Sequence, residues 1–317
     1  MPQVHTVTGP VDSATLGFTL MHEHVYVLSE GVVTNFPHLW DREARIAQAA
    51  EALAEAKAHG VSTIVDLTVL GLGRDVALVR EAAKRSGMQI IAATGLYTYD
   101  ELPHYFQSRS AEHMADLFVY DIEEGIQETD IRAAILKCAT DEKGVTPGVE
   151  KVLHAVAQAH RRTGVPISTH THAATQQGLR QQDIFEQEGV DLRRVIIGHS
   201  GDTEDTDYLE KLTARGSSIG MDRFGIDTFM PTEKRVATIA RLCQRGHAGR
   251  MVLSHDASCY IDWFDPDLIR QFAPRWSLLH IPDDVVPALR AGGVTEEQIR
   301  AMTVDNPRRI FEAQGAY

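Results

Sequence analysis

The sequence predicts a (β/α)8 TIM barrel, and three observations predict it. Short β-branched segments alternate with helix-length amphipathic stretches along the 317 residues, giving eight strands. A glycine recurs just ahead of the strands, as at Gly60, Gly87 and Gly164. That pattern suits parallel strands buried on both faces between helices. Histidines and other chemically active residues then fall at strand ends about one βα unit apart, where barrels of this kind carry their sites. An open doubly wound sheet is the alternative. It is weakened because no Gly-x-Gly-x-x-Gly follows the first strand. Residues 1–317 are expected to form one domain.

Taken in order, residues 4 to 17 alternate around Gly9-Pro10 and predict a short N-terminal β-hairpin. Strand one follows and ends at His22 and His24. Residues 41 to 59 place Ile46, Ala49, Ala50, Leu53 and Ala56 at helical spacing, closed by Gly60. Strand two is Val61–Asp66, a helix covers 74 to 86, and strand three is Met88–Thr94. An aromatic insertion, Tyr97 to Phe106, precedes a helix near 110 to 127. Strand four is Ile131–Cys138, followed by a helix over 147 to 163. Strands five to eight are Ile167–His170, Val195–His199, Ser217–Asp222 and Met251–His255. Helices 174 to 188, 205 to 215 and 232 to 245 lie between them. A long loop without clear periodicity, Ser258 to Arg275, follows strand eight, and the tail from 284 to 313 is helical with breaks.

The composition narrows the function. Residues of the apolar classes make up 43%, enough for a sizeable core. The formal net charge of −13 argues against nucleic acid or an anionic membrane as partner, since both need a basic face. No apolar run reaches the ~18 residues that span a bilayer. Met1-Pro2-Gln3-Val4-His5 lacks the form of a signal peptide, so a cytoplasmic protein is expected. Cys138, Cys243 and Cys259 show no Cys-x-x-Cys spacing and read as reduced thiols.

The chemistry centres on Met21-His22-Glu23-His24. In a strand, residues two apart share a side, so both imidazoles project together. Imidazole is a common ligand for zinc and similar cations. Downstream, strand four ends with Lys137, strand five with His170, strand six with His199 and strand eight with Asp256. The steps from Lys137 to His170, His199 and Asp256 are 33, 29 and 57 residues, or about one, one and two βα units. Four histidines and one aspartate exceed what a single four-coordinate metal needs. They suit two cations about 3.5–4 Å apart. Lys137 is the odd member, because burial and nearby cations both disfavour an ammonium. As a neutral amine it can take up CO2 and become a carbamate, a two-oxygen anionic bridge. The plainer alternative is a lysine reaching solvent or paired with Asp141.

These stretches resemble a known family. The order His-x-His, Lys, His, His, Asp is the pattern of the amidohydrolase superfamily, and more closely of the phosphotriesterase-like lactonases. The match is carried by Thr19–His24, Gly95–Tyr99, Ile135–Asp141, Ser168–His172, Gly198-His199, Gly220–Phe224, Leu253–Asp256 and Asp305–Phe311. The resemblance implies that His22, His24 and Asp256 bind one metal and His170 and His199 a second. Carboxylated Lys137 and a hydroxide then bridge them. It implies that His172 and His255 are not ligands. The two divalent ions are zinc, cobalt, manganese or iron.

The expected reaction is attack of the bridging hydroxide on a lactone carbonyl, with Asp256 carrying the proton to the leaving alkoxide. The substrates are N-acyl-homoserine lactones or other γ/δ-lactones, with organophosphate triesters as a side activity. Tyr97 and Arg223 are read as catalytic and, with Tyr99, Cys259 and Trp263, as substrate contacts. The apolar loop holding Trp263 and Phe264 reads as an acyl-chain groove, a dimer surface, or both. Ser258 stands where some relatives carry cysteine. A homodimer is expected from the resemblance. The competing readings are a dedicated phosphotriesterase, another amidohydrolase, or a metal-binding protein on an inactive scaffold.

Overall fold

The computed structural model describes residues 2–313 and 315–317. Strands β1 (Gln3–Thr6) and β2 (Gly9–Asp12) form an antiparallel hairpin, with Thr6 opposite Gly9. Its turn is Val7-Thr8 rather than Gly9-Pro10. The Thr6 hydroxyl accepts from Thr8 N and donates to Gly9 O at 2.6 Å, which closes the chain two residues early. Pro10 then lies on an edge strand, where its missing N–H costs no ladder bond.

Nine parallel strands follow: β3 (Thr19–Val27), β4 (Thr63–Asp66), β5 (Gln89–Gly95), β6 (Ile135–Thr140), β7 (Ile167–Thr171), β8 (Val195–Ile197), β9 (Ser218–Met221), β10 (Met251–Leu253) and β11 (Ser258–Ile261). Their order, β10-β9-β8-β7-β6-β5-β4-β3-β11, curls into the (β/α)8 barrel. β10 and β11 act as two halves of one final strand: β10 pairs with β9 and β11 with β3. The residues between them close the ring, with Asp256 N donating to His22 O (3.0 Å) and His24 N to Ala257 O (2.8 Å).

Helices cover the outside. Their starts are fixed by side-chain caps at Asp41, Asp75, Ser110, Thr146 and Asp205, each accepting an otherwise unpaired N–H of the first turn. Several boundaries differ from expectation by a few residues; strands six and eight, for example, end two residues early, at Ile197 and Leu253. β3 runs three residues past His24, to Val27. β6 starts at Ile135 rather than Ile131, because Ile131 and Ala133 bond back to the preceding turn and helix (Ile126 N to Ile131 O; Ala133 N to Asp121 O). The segment after strand eight opens with β11 and holds a helix, Pro266–Phe272. Both are too short, and β11 too evenly half-buried, to show a period in sequence.

Strand alternation separates two apolar layers. Leu20, Ile64, Ile90, Leu136, Ile197 and Leu253 pack outward under the helices. Met21, Val65, Ile91, Ile135, Ile196 and Val252 form a separate cluster with Leu16, Ile310 and Phe311. This second layer fills the barrel interior. Lys137 follows Ile135 by two residues, so it points the same way, one layer higher.

Close strand approach at that level requires glycine. Gly95 has φ +140°, and a Cβ there would stand 1.9 Å from Lys137 O. Gly95→Ala should therefore cost at least about 2 kcal/mol in urea unfolding, since backbone must move on both strands. A midpoint unchanged from wild type would show the contact to be soft. Among the described residues, no helix is long and apolar enough to cross a membrane.

Candidate metal centre and active site

The centre is built where the barrel interior turns polar. His22 and His24 leave β3 together, both buried, with ring centroids 5.8 Å apart. His22 and His199 stack at 4.7 Å, and His170 meets His199 edge-on at 4.4 Å. Lys137 Nζ lies 3.0 Å from His22 Nε2. Asp256 reaches in with Oδ1 at 3.2 Å from His24 Nε2 and 3.3 Å from His22 Nε2, and with Oδ2 at 3.7 Å from His199 Nε2. The structure thus brings together all six predicted ligands: His22, His24, Lys137, His170, His199 and Asp256.

Each histidine is oriented from behind. Asp222 is buried on the strand-seven side and takes two of them, with Oδ2 at 3.1 Å from His22 Nδ1 and Oδ1 at 3.0 Å from His199 Nδ1. A carboxylate only accepts, so both Nδ1 atoms carry the proton and both Nε2 lone pairs face the centre. Thr68 Oγ1 lies 2.9 Å from His24 Nδ1, and Asp141 Oδ2 lies 3.0 Å from His170 Nε2. Burial favours the neutral form of three of them: it lowers His22 and His199 and pushes His170 down to about 4. Burial also lowers Lys137, to about 8, so a neutral amine is accessible near neutral pH. Burial alone would raise Asp256. His22, His199, a hydrogen bond from His24 and Arg223 outweigh it and hold the carboxyl well below the usual range.

His22, His199 and Asp256 each offer an atom within 4.8 Å of the others, close enough to share one cation. Neutral imidazoles, an ionised carboxylate and an amine able to lose its proton are the donors that zinc and its neighbours take. The donor set therefore fits divalent metal.

Asp256 sits in the left-handed region, φ 57°, and so does His199, φ 55°. Such backbone persists only where the surroundings enforce it. For Asp256 the enforcement comes from Glu23, buried between the two histidines of the motif. Its Oε1 accepts from Ser254 Oγ (2.8 Å), His255 N (2.9 Å) and His255 Nδ1 (2.7 Å), and its Oε2 from Ala257 N (2.8 Å). His255 is thereby taken up, and its Nε2 accepts from Ile281 N at 2.9 Å. His172 lies past β7, against Thr175 Oγ1 at 2.9 Å, away from the centre.

A cavity of about 220 Å³ opens over these ligands. Tyr97 and Tyr99 line it, their hydroxyls hydrogen-bonded to each other and their rings 5.7 and 5.1 Å from His170. Trp263, Phe264, Ile261 and Ser258 form the opposite wall. Ile226, Phe229, Phe264 and Trp276 also line a neighbouring apolar groove of about 340 Å³ against the helix Pro266–Phe272.

Cys259 is a correction: it does not line the cavity. Side chains alternate along β11, so Ser258 faces the site while Cys259 packs against the apolar layer under the helices. Arg223 pairs with neither Asp222 nor Asp227. Asp222 is committed to His22 and His199, and Asp227 accepts from Arg275 at 2.6 Å. Arg223 instead donates Nε to Asp256 Oδ2 (3.2 Å) and Nη1 to Asp202 Oδ2 (2.9 Å).

Sequence reasoning missed Asp222, Glu23 and Asp202 as working residues. The signal for the first two was an acid inside an apolar strand, beside a residue already chosen. One further motif carries nothing: Gly216-Ser217-Ser218-Ile219-Gly220 has the Gly-x-Ser-x-Gly spacing of a nucleophile elbow. Ser218 is buried inside β9 opposite Ile196, not exposed at a strand-to-helix turn.

Asp222→Ala should weaken metal binding about 10- to 100-fold, because two ligands lose their orienting partner at once. Metal content after dialysis against a graded chelator checks this, and wild-type retention would deny Asp222 that role.

A family model described as the phosphotriesterase family matches residues 2–311. A "Phosphotriesterase homology protein" of Mycobacterium tuberculosis is 56% identical, each chain covered in full. An "Aryldialkylphosphatase" of Saccharolobus solfataricus is 44% identical over 95% of this chain and 96% of that one. The solved structure of the phosphotriesterase from Mycobacterium tuberculosis superposes with a TM-score of 0.97 at 55% identity, covering 100% of both chains. The chain is a hydrolase that belongs to the phosphotriesterase family.

Proposed function

We propose that this hydrolase opens lactones, N-acyl-homoserine lactones and related γ/δ-lactones, and cleaves aryl phosphotriesters more slowly. The observation that carries the reading is an apolar groove lying beside a cavity floored by the candidate ligands, the two sharing four lining side chains. A small polar ring with an apolar tail fits both parts at once. His22, His24 and Asp256 would hold one divalent cation, His170 and His199 a second, and Lys137, once carboxylated, would bridge them. Bound there, such cations acidify a water and polarise the oxygen of a carbonyl or phosphoryl group.

The chain's own residues do the rest. The phenol of Tyr97 donates to the ester oxygen and sets the ring against the floor, with Tyr99 fixing the direction of that phenol. Trp263 and Phe264 cover the tail and exclude water. The proton of the attacking water passes to Asp256 Oδ2, the oxygen turned away from His22 and His24. Arg223 stands 3.2 Å from that oxygen and keeps its proton affinity low. The proton therefore leaves readily for the far more basic alkoxide released when the ring C–O bond breaks. The product is a hydroxy acid.

Proton release from an N-acyl-homoserine lactone, measured beside colour release from an aryl phosphotriester with metal-loaded protein, tests this. Faster lactone opening supports the proposal. Faster triester cleavage would favour a dedicated phosphotriesterase, the reading that the relative named aryldialkylphosphatase supports. Arg223→Ala should keep its metal and lower kcat about 10- to 100-fold; metal loss instead would place Arg223 in a structural role. The substrate is a small molecule rather than nucleic acid or membrane, in a cytoplasmic protein. The exposed Phe229, Phe264, Leu268 and Phe272 surround the groove and suit a homodimer, which sedimentation would detect.

A further inference from the structure

Arg235 is the largest fully buried side chain among the described residues, 1% exposed, and no step above uses it. It lies in the first turn of the helix Thr232–Gln244, where the helix dipole disfavours a cation. Its charge is also costly to bury, and an apolar chain of equal length would fill the same space. Its contacts show what keeps it there. Nε donates to Met230 O at 3.1 Å and Nη1 to Gly201 O at 2.8 Å, joining the loops after strands seven and six. Nη2 lies 2.7 Å from Asp202 Oδ1. The other oxygen of Asp202 accepts from Arg223 Nη1 at 2.9 Å, and Arg223 Nε donates to Asp256 Oδ2 at 3.2 Å. Four charges of alternating sign thus run from the helix to the reacting carboxylate, balanced as a set.

We propose that Arg235 is a positioning residue, which fixes Asp202 so that Asp202 holds the Arg223 guanidinium against Asp256 Oδ2. Asp202 alone has two freely rotating oxygens and one charge to share. With Oδ1 drawn toward the Arg235 charge 2.7 Å away, as an ion pair rather than an aligned hydrogen bond, Oδ2 is the oxygen left for Arg223, and the guanidinium has one resting place. Arg235 touches neither the substrate cavity nor any of the six ligands. The inference rests on the role proposed above for Arg223, and its test is separable from it.

In metal-free protein, the Nε–H signal of Arg223 is followed by NMR and assigned by its loss in Arg223→Lys. Its exchange with water should be at least ~10-fold faster in Arg235→Met than in wild type, as a released guanidinium opens more often. An unchanged rate overturns the proposal, whatever substrate the enzyme prefers. In metal-loaded protein, Arg235→Met should lower kcat about 10-fold with KM and metal content unchanged. Adding it to Arg223→Ala should cost nothing further, because the two act on one path. Losses that multiply would mean independent action and overturn the proposal. If wild type turns over neither lactone nor triester, the functional reading fails while the NMR comparison still decides this one. Should Arg235→Met not fold, Arg235→Lys keeps the charge beside Asp202 but cannot reach Met230 O and Gly201 O together. It should show the faster exchange in smaller degree, and wild-type exchange there counts against Arg235.

Discussion

Lys137→Ala should lose metal and activity together, with turnover down at least ~1000-fold. Lys137 is 1% exposed, and its Nζ lies 3.0 Å from His22 Nε2. Nothing pairs it with Asp141, which is held by His170 instead. A buried amine whose ammonium is disfavoured, and which touches a ligand nitrogen rather than a carboxylate, has little to give the metal-free fold. Its deletion should therefore leave the metal-free unfolding free energy within about 1 kcal/mol of wild type. The combination is diagnostic: intact fold, absent metal, absent turnover. Two metals per chain with full activity would remove Lys137 from the bridge. Loss of folding without metal would make it a structural residue.

The second large effect is on stability. Glu23→Gln should destabilise the protein by about 3 kcal/mol and reduce metal retention with it. Glu23 takes four donors with two oxygens, all from the segment Ser254–Ala257. A glutamine keeps one acceptor and turns an NH2 toward Ala257 N or the His255 ring, a donor facing a donor in a dry site. Asp256, in the middle of that segment, would lose what holds its left-handed backbone. Urea unfolding of metal-free protein measures the first effect, and chelator titration the second. A variant as stable as wild type would mean that the His22 and His24 backbone bonds alone hold the segment.

The fold was largely legible because a barrel repeats its signal. Most βα units carry a glycine, an apolar and partly β-branched run, and a helix cap, as at Gly60, Gly87 and Gly164 and at Asp75 and Thr146. The ligands were legible because His and Lys at strand ends are unusual and their spacing followed the architecture. What escaped is of two kinds. β11 is four half-buried residues beside a glycine-free kink, with no period to detect. Asp222, Glu23, Asp202 and Arg235 act through partners 21 to 234 residues away in sequence. Their types are visible in the sequence, but who they meet is decided only by which strands neighbour each other. Cys259 against Ser258 shows the narrowest margin: one residue along a strand exchanges the cavity for the core.

The way the ring closes also sets when the centre can exist. As the chain is synthesised, β3 emerges early with His22 and His24 but has only β4 on one flank. Its other flank waits for Asp256 and β11, some 232 residues later. Contacts of such long separation form late in folding. Until then the motif histidines sit on an open sheet edge, and neither Glu23 nor Asp256 has its partner. Ring closure and completion of the ligand set are therefore one event. A metal ion that binds the finished set bolts the last strand to the first, so metal supply should govern how much newly made protein reaches the closed state.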